Sequence, residues 1–556
     1  MSSRFIKGAM ILSLSMFVTR LLGLLYVIPF QRLVGPSGLA LYAYAYVPYS
    51  LLVSLSGLGI PGGIAKFISK YNADGEYDVS RKIFRVGMLV MIFVGFIGFL
   101  IMWIGAPTIA DWAMARRVDL YNGDLALYNS REDVIMAIRM VSFAMIVVPP
   151  MSILRGFFQG NQDMIPTAMS QVIEQLVRIV LIIGCSFLVI RILGGTTQMA
   201  VKVSVFAAFV AAIASTLVLY NYWKKKKDAF DELLASSRSH QKRSTPALFK
   251  ELLSYAIPFA VLGLSATWFQ NVDIMTFNAG MIRAGVDPML AEELLGTFTI
   301  ALLKVIMIPV SFSIAFGQPL ITEITEKIRV RDMDSVHKTL TSSIMLTSFI
   351  TIPAVIGLFL LSNPIFILLF DSSDADLNAM GGAMFSTGAF IAIVMALSVI
   401  TSAIMQGMNH QIKALIFLLG AIAIKLVGNL VLIPIFEFHG AVLSTILAYT
   451  FFLIMNYLQI RKTTGIQTRL ILKQHISILI FAGIMAGAVH LVTSFLDLFL
   501  DYTTSTGVAA LYVFVAGSVG ILVYAGLTIY FDLGRTLFGN RLSFERLKAR
   551  ITGKSK

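Results

Sequence analysis

Five cations lie within long apolar runs of this sequence, where charged side chains are rare. They are Arg20, Arg139, Arg178, Lys304 and Lys425. A charge at the centre of a membrane helix costs about 2.5–3.5 kcal/mol on insertion scales, so such a residue usually faces a polar cavity or a partner. Only one acid, Glu174, is placed comparably, so the charge within the runs is net positive. That sign suits an anion, and arginine matches phosphate oxygens with its planar fork. The five cations are therefore predicted to line a substrate-binding cavity.

Acidic and amide side chains in the same runs are candidates for a gate or a coupling site. Glu174 and Arg178 are four residues apart, so they share a helix face, and either a local ion pair or a gate fits this spacing. Asp273 lies beside Gln270 and Asn271 near the outer end of a run, which fits a polar gate, an ion site or plain interfacial polarity. A coupling ion, Na+ or H+, is compatible with these groups, but the sequence does not identify it. No cofactor is predicted.

The segment 57–62 fits a G-x-G-x-x-G pattern, but no strand–turn–helix context surrounds it, so a dinucleotide site is excluded. Its Gly57, Gly59 and Pro61 instead predict a hinge at the inner end of the second apolar run. The single cysteine, Cys185, excludes a disulfide framework and a cysteine-based metal site. No nucleophile–base set and no Walker loop occurs. The protein is therefore predicted to be neither an enzyme nor a metal protein.

Three tyrosines, Tyr42, Tyr46 and Tyr49, are spaced to share one face of a helix near the outer end of the second run. Tyrosine is enriched at membrane–water interfaces, so an interfacial aromatic belt is one interpretation. The alternative is an aromatic wall on which a sugar ring stacks.

The composition requires a membrane around most of the chain. Hydrophobic residues make up 57% of the 556 residues and charged ones 13%, where soluble domains carry about 25%. The mean hydropathy is +0.83. A helix needs about 20 apolar residues to cross the hydrocarbon core, whereas a barrel would show alternating segments of about ten. An all-α polytopic membrane protein is predicted. Its fourteen spans cover residues 8–31, 38–60, 84–106, 133–154, 167–190, 199–222, 252–276, 296–319, 340–362, 380–405, 413–434, 439–460, 473–495 and 507–530.

The net charge of +14 is explained mainly by topology. Residues Met1–Lys7 precede a run that is too long for a signal-peptide core, so this run is predicted to be span 1. Most Lys and Arg fall in the segments on the same side as the N-terminus, which places both termini in the cytoplasm. The run Lys224–Lys227 and the tail Arg541–Lys556 fit the same rule, although the tail could also bind anionic lipid. Nucleic acid is excluded as a partner.

The second group of six spans echoes the first. Gln159-Gly160 follows span 4 and Gln406-Gly407 follows span 10, and a cation lies nineteen residues beyond each glutamine, at Arg178 and Lys425. Equal topology in both groups predicts a parallel repeat with its axis along the membrane normal. The predicted domains are an N-lobe (1–222), a basic cytoplasmic linker (223–250), a C-lobe (251–460), spans 13 and 14 (461–531) and a basic cytoplasmic tail (532–556).

Several motifs resemble a known family. They are Thr19-Arg20-Leu21-Leu22-Gly23, Gly35-Pro36-Ser37-Gly38, Arg155-Gly156-Phe157-Phe158-Gln159-Gly160-Asn161, Met164-Ile165-Pro166-Thr167-Ala168, Ser170-Gln171, Glu174-Gln175 and Arg178. The chain resembles the MurJ-type lipid II flippases of the YtgP/SpoVB branch, within the multidrug/oligosaccharidyl-lipid/polysaccharide (MOP) exporter superfamily, from span 1 to span 14. The resemblance implies two six-helix lobes with alternating access, a MATE-like architecture, and a lipid-tail groove at spans 13 and 14. The family's essential span 1 arginine matches Arg20. Some members carry further charges in the stretch matching Leu39–Leu52, which is uncharged here.

The resemblance implies a flippase of the bacterial cytoplasmic membrane. It would move an undecaprenyl-pyrophosphate-linked peptidoglycan precursor from the inner to the outer leaflet, driven by the membrane potential or an ion gradient. The implied partners are a polyprenyl-pyrophosphate glycolipid, membrane lipids and cell-wall synthesis proteins. Three alternatives stay open: a flippase for another polyprenyl-linked glycan or a sporulation-specific precursor, a cation or multidrug antiporter, and a non-transporting scaffold.

Overall fold

The computed structural model describes residues 26–57, 59–114, 128–237, 264–372, 374–466 and 468–531, with a few further positions between 15 and 23 and at 261–262. Arg20, the start of span 7, the second half of the predicted linker and the predicted basic tail lie outside the described residues. All regular structure in the described part is helical.

The chain divides into two compact units, of which the first comprises residues 1–301 and 433–437. Its helices are α1 (Val27–Gly57), α2 (Gly59–Ala73), α3 (Tyr77–Ala113), α4 (Arg131–Ser142), α5 (Ala144–Gly160), α6 (Ile165–Phe187), α7 (Thr197–Ala235), α8 (Ser265–Arg283) and α9 (Pro288–Gly296). A π-helical turn, Leu188–Ile192, follows α6, and a second, Thr297–Leu302, follows α9. Such turns insert an extra residue and are frequent at functional sites.

The second unit comprises residues 302–432 and 438–556. Its helices are α10 (Leu303–Arg329), α11 (Met333–Leu360), α12 (Ser362–Phe370), α13 (Ala375–Gly388), α14 (Ile391–Gly407), α15 (Gln411–Thr464), α16 (Thr468–Leu496) and α17 (Thr506–Tyr530). Helices α16 and α17, which correspond to spans 13 and 14, share an apolar core with α11. The short helix α12 was not predicted; it packs Phe366 and Phe370 against Phe385 of α13.

The described helices confirm the membrane-spanning, all-α fold class. Ten segments of the described residues are long and apolar enough to cross a membrane. One of them, α15, contains spans 11 and 12, because the helix breaks at Glu437 with φ 54° and ψ −139°. Helix α1 likewise joins the end of span 1 to span 2 across a break at Gly35, with φ 71°. The predicted number of spans is therefore approximately consistent with the helices observed.

The boundary between the compact units does not coincide with the predicted linker. It falls between Ala301 and Leu302, inside the π-helical turn that precedes α10. Helices α8 and α9 belong to the first unit because both pack against α1. The lobe boundaries at 222 and 251 stay a prediction.

Helix α7 continues beyond span 6 to Ala235, into the residues predicted as linker. Aromatic packing holds this extension. The Trp223 ring stacks on Phe84 at 5.0 Å and lies 4.9 Å from the Phe157 ring. The Arg81 guanidinium lies 4.8 Å from the Trp223 ring and pairs with Asp231 at 3.4 Å. The first part of the predicted linker is thus a rigid helix fastened to α3 and α5.

The two Gln-Gly turns that indicated a repeat have the same backbone geometry. Gln162 and Asn409, each two residues after the glycine, have φ of 59° and 60°. In the first turn the Asp163 amide donates to the Phe158 carbonyl at 2.9 Å, and in the second the His410 amide donates to the Met405 carbonyl at 2.8 Å. This six-residue loop is the Schellman-type ending of a helix. The local equivalence supports the predicted repeat.

Both glycines also allow a close helix contact. A Cβ at Gly160 would lie 2.7 Å from Ile68 Cβ and 2.9 Å from the Ala65 carbonyl oxygen in α2. A Cβ at Gly407 would lie 2.9 Å from Ile324 Cβ and 3.0 Å from the Ile321 carbonyl oxygen in α10. Backbone atoms cannot move aside as a flexible side chain can, so each turn requires glycine.

We therefore expect Gly160→Ala to destabilise the protein by about 1–3 kcal/mol, the usual cost of overpacking. Gly184→Ala is the matched control, because a Cβ at Gly184 in α6 meets nothing within 4 Å and alanine favours a helix. The measurement is thermal unfolding of the purified protein in detergent. Equal midpoints for the two variants would contradict the close contact.

Candidate functional site

A charged cluster lies inside the first unit, formed by Arg155 of α5 with Glu174 and Arg178 of α6. We call these three residues the Arg–Glu–Arg centre. Arg155 Nη2 donates to Glu174 Oε2 at 2.7 Å, and Arg178 Nη2 donates to Glu174 Oε1. The predicted pair of Glu174 with Arg178 is therefore present, and Arg155 is a second partner that the sequence analysis missed. Arg155 lies just beyond the predicted end of span 4. It is the first residue of one of the motifs that resemble the family, and this motif was the signal that could have identified it.

Hydroxyl groups complete the hydrogen bonds of Arg155. Its Nε donates to Ser170 Oγ at 3.0 Å, and its Nη2 donates to Ser215 Oγ at 2.8 Å. Ser215 in turn donates to the Ser170 carbonyl at 3.0 Å. The centre thus joins α5, α6 and α7, which carry spans 4, 5 and 6. Two guanidinium groups and one carboxylate leave it with a net charge of +1.

The centre also has polar atoms without a hydrogen-bond partner. Arg178 Nε and Gln171 Oε1 are both buried and unpartnered, and their residues lie on one face of α6, seven positions apart. One turn beyond Gln171, Gln175 approaches span 1, because a Cβ at Gly23 would lie 3.4 Å from Gln175 Nε2. The centre therefore retains donor and acceptor capacity on the side of α6 that carries its charge.

The tyrosines of span 2 lie beside this centre. The Tyr42 and Tyr46 rings stack at 5.0 Å, and the Tyr49 ring lies 5.5 Å from that of Tyr46. All three lie in the neighbourhood of the Arg178 guanidinium. Tyr42 and Tyr49 are 2% and 3% exposed. The interpretation as an interfacial aromatic belt is wrong for these two, because their rings are buried against protein.

The other predicted cations have separate surroundings. Arg139 of α4 donates from Nε to the Trp103 carbonyl at 3.3 Å, and its guanidinium lies 5.4 Å from the Trp103 ring. Lys304 is the second residue of α10 and is half-buried. Arg139 thus contacts α3 rather than the Arg–Glu–Arg centre, and Lys304 belongs to the second compact unit.

Lys425 is fully buried in α15 and is held by oxygen atoms. Its Nζ donates to the Ala441 carbonyl at 3.1 Å, to Ser444 Oγ at 3.1 Å and to Thr445 Oγ1 at 2.6 Å. Ser444 also donates to the amide oxygen of Asn429. Spans 11 and 12 are therefore joined through this ammonium group, whose exposure is 0%. In this conformation Lys425 is packed between two helices.

The predicted gate residues Gln270, Asn271 and Asp273 all lie in α8. Gln270 Nε2 donates to the Thr299 carbonyl at 2.9 Å, and Asn271 Nδ2 donates to the Val47 carbonyl of α1 at 3.3 Å. Asp273 is buried in the same helix. The sequence predicted that Asp273 lies near the outer end of its helix. Because α8 continues to Arg283, Asp273 instead lies well inside the helix.

The predicted hinge coincides with a break between helices. Helix α1 ends at Gly57 and helix α2 begins at Gly59, with Pro61 in its first turn. This position is compatible with a hinge, which stays a prediction. Among the described residues no group of three His, Cys, Asp or Glu side chains could hold a metal ion.

Comparison with known proteins connects this geometry to a family. A family model described as "Polysaccharide biosynthesis protein" matches residues 5–325, and one described as "Lipid II flippase MurJ" matches residues 274–508. The lipid II flippase MurJ of Bacillus subtilis is 35% identical over 97% of this chain and 98% of its own length. The chain belongs to the MurJ lipid II flippase family. The family resemblance predicted from the motifs around Arg20 and Arg178 is confirmed.

Two more distant relatives, also from Bacillus subtilis, extend the same pattern. The uncharacterised membrane protein YabM is 26% identical over 97% of this chain and 96% of its own length. Stage V sporulation protein B is 25% identical over 80% of this chain and 84% of its own length. The higher identity to MurJ places this MurJ family member nearer to the flippase than to the sporulation protein.

Solved structures support the fold of this MurJ family member. A lipid II flippase MurJ in an inward closed conformation aligns with 95% of this chain and all of its own length, with TM-score 0.65 and 14% identity. An inward-facing MATE family multidrug transporter of the MOP superfamily aligns with 81% of this chain and 98% of its own length, with TM-score 0.66 and 16% identity. The predicted MATE-like architecture is therefore confirmed at the level of the fold.

The Arg–Glu–Arg centre makes a prediction about stability. Glu174→Gln leaves two partly buried arginines without their anion, so we expect a loss of about 3 kcal/mol in the free energy of unfolding. Adding Arg155→Gln should cost less than the sum of the single changes, because the two residues interact directly. The measurement is a double-mutant cycle on purified protein in detergent.

The control for this cycle is Asp111→Asn, which breaks the more exposed ion pair with Arg131 and should cost about 1 kcal/mol or less. A Glu174→Gln variant no less stable than Asp111→Asn would show that the centre is not a coupled buried network.

Proposed function

We propose that this protein is a lipid II flippase, which moves the undecaprenyl-pyrophosphate-linked peptidoglycan precursor from the inner to the outer leaflet by alternating access. The observation that carries the proposal is the 35% identity to a lipid II flippase over almost the entire length of both chains. The net positive charge of the Arg–Glu–Arg centre supports it, because the cargo carries a pyrophosphate. The proposed location is the bacterial cytoplasmic membrane, with both termini in the cytoplasm.

Arg20 and Arg178 are proposed to bind the pyrophosphate. Arg178 has an unpartnered Nε–H, and the centre it belongs to carries one positive charge more than its acid compensates. A charge-assisted hydrogen bond to a phosphate oxygen is among the strong ones available to an arginine. Arg139 and Lys425 are already bonded to protein groups in this conformation, so for them we propose a role in packing here.

The energy source is proposed to be the membrane potential. Moving two negative charges outward across an inside-negative membrane gains about 4.6 kcal/mol per 100 mV. No step of this cycle requires covalent chemistry, in line with the relatives being flippases. A cation antiporter is less well supported, because such a protein needs an acid that is available to a cation. Glu174 is engaged by two arginines.

The direct test is to express this protein in a bacterium that has been depleted of its own lipid II flippase. Wild-type protein should restore growth and expose lipid II on the outer leaflet, where an added membrane-impermeant hydrolase cleaves it. Lipid II that stays protected inside the cell, with the protein present in the membrane, would refute the proposal.

Arg178→Lys tests the proposed pyrophosphate contact in the same assay. Lysine keeps the positive charge beside Glu174 but loses the planar fork and its Nε–H. We expect the cleavable fraction of lipid II to fall about tenfold or more, since a hydrogen bond to a charged group contributes about 1.5–3 kcal/mol. Arg191→Ala, at an exposed arginine further along the same span, is the matched control and should flip normally. Unimpaired flipping by Arg178→Lys at normal protein levels would remove Arg178 from the binding site.

A further inference from the structure

A buried carboxylate that the sequence analysis did not single out lies at the beginning of span 8. Glu292 of α9 has an exposure of 0%. Its neighbour in sequence, Glu293, is half-buried. Helix α9 itself is capped at its N-terminus by Asp287, which accepts from the amides of Met289 and Leu290. Glu292 is therefore not needed to cap its own helix, and its side chain is buried in the protein interior.

The donors to Glu292 come from other segments of the first unit. The Tyr128 amide donates to Oε2 at 2.9 Å, the Asn129 amide donates to Oε2 at 3.4 Å, and Asn129 Nδ2 donates to Oε1 at 3.0 Å. The buried Tyr44 hydroxyl lies beside the same carboxylate and accepts from Asn278 Nδ2 at 2.6 Å. None of these donors carries a charge, so dipoles alone stabilise the carboxylate. Its position depends on several segments staying in place together.

These donors lie on segments that also touch one another. Asn129 Nδ2 donates to the Ser37 carbonyl at the start of span 2, at 2.9 Å. A Cβ at Gly296, one turn after Glu292, would lie 2.6 Å from the Ala40 amide nitrogen. We call the segments 36–40, 128–129 and 292–297 the outer seal. They precede spans 2, 4 and 8, on the side that the positive-inside rule assigns to the outside.

The chain changes its helical geometry directly after the seal. The π-helical turn Thr297–Leu302 begins one residue after Gly296, and the boundary between the compact units falls inside it. Thr297 Oγ1 donates to the Glu293 carbonyl at 3.0 Å, and Thr299 Oγ1 donates to the Leu295 carbonyl at 2.7 Å. The carbonyls of Glu293 and Leu295 thus have local hydrogen-bond partners at this irregular turn.

We propose that Glu292 is a positioning residue of the transport cycle, which holds the outer seal closed through its hydrogen bonds to residues 128–129. Alternating access requires the outer ends of some spans to separate. The proposal rests on the proposed function only for this requirement. Both side-chain oxygens of Glu292 accept hydrogen bonds, whereas glutamine has only one acceptor oxygen, so in Glu292→Gln either the Asn129 side chain or the backbone amides of residues 128–129 lose their acceptor. The seal then opens more often, although no lipid is present.

The test measures access to the seal in purified full-length protein in detergent. Cys185 is first replaced by serine, and Thr297→Cys then places a reporter thiol at a residue of 0% exposure. The rate of modification by a charged, water-soluble methanethiosulfonate is measured well below the unfolding temperature. We expect Glu292→Gln to raise this rate about tenfold or more, which corresponds to about 1.4 kcal/mol in the opening equilibrium. Glu132→Gln, the control at an exposed glutamate of α4 outside the seal, should leave it unchanged.

An unchanged rate in Glu292→Gln, with or without a lower unfolding temperature, would overturn the proposal, since a merely structural residue changes stability alone. If Glu292→Gln does not accumulate, Asn129→Ala decides the question: it removes one donor to the carboxylate and should raise the rate several-fold, whereas an unchanged rate rejects the seal. Because no lipid II is used, these outcomes are independent of whether the cargo is lipid II.

Discussion

A charge inside an apolar bundle has no water to solvate it, so the protein must supply its compensation. This constraint is met in three different ways in the described residues. The Arg–Glu–Arg centre opposes charges directly and keeps one positive charge in excess. Lys425 is surrounded by a carbonyl and two hydroxyls, and Glu292 by backbone and side-chain amide donors. Each solution joins at least two spans, so the buried charges also determine which helices stay together.

The three ways of compensating a charge differ in how well they tolerate movement of the helices that carry them. An ion pair between adjacent spans survives small shifts, because Coulomb attraction falls slowly with distance. A carboxylate held by neutral donors loses its stabilisation as soon as the hydrogen-bond geometry is lost. For the proposed transport cycle, the Arg–Glu–Arg centre is therefore suited to remain assembled, and the cluster at Glu292 is suited to be made and broken.

The sequence was informative where the physics is local. Long apolar runs predicted the helices, the i, i+4 spacing predicted the pair of Glu174 with Arg178, and the repeated Gln-Gly turns predicted two endings that share one geometry. Contacts between distant segments could not be read in this way. Arg155 pairs with a residue nineteen positions away, and Glu292 is held by residues 128–129, more than 160 positions earlier. Nor could the pattern show that α7 continues into the first part of the predicted linker, because this extension is held by aromatic packing on α3 and α5 and not by hydropathy.

The extension of α7 has a mechanical consequence. At 1.5 Å per residue, the 39 residues of this helix measure about 58 Å, almost twice the thickness of the hydrocarbon core, about 30 Å. The last part of this helix therefore extends beyond a bilayer that contains its first part. The contacts of Trp223 with Phe84 and Phe157 fix the direction of this extension relative to α3 and α5, and Ala235 lies twelve residues, about 18 Å, further along the helix. Any rotation of α3 and α5 together with this helix would displace Ala235 more than Trp223, because displacement grows with distance along a straight rod.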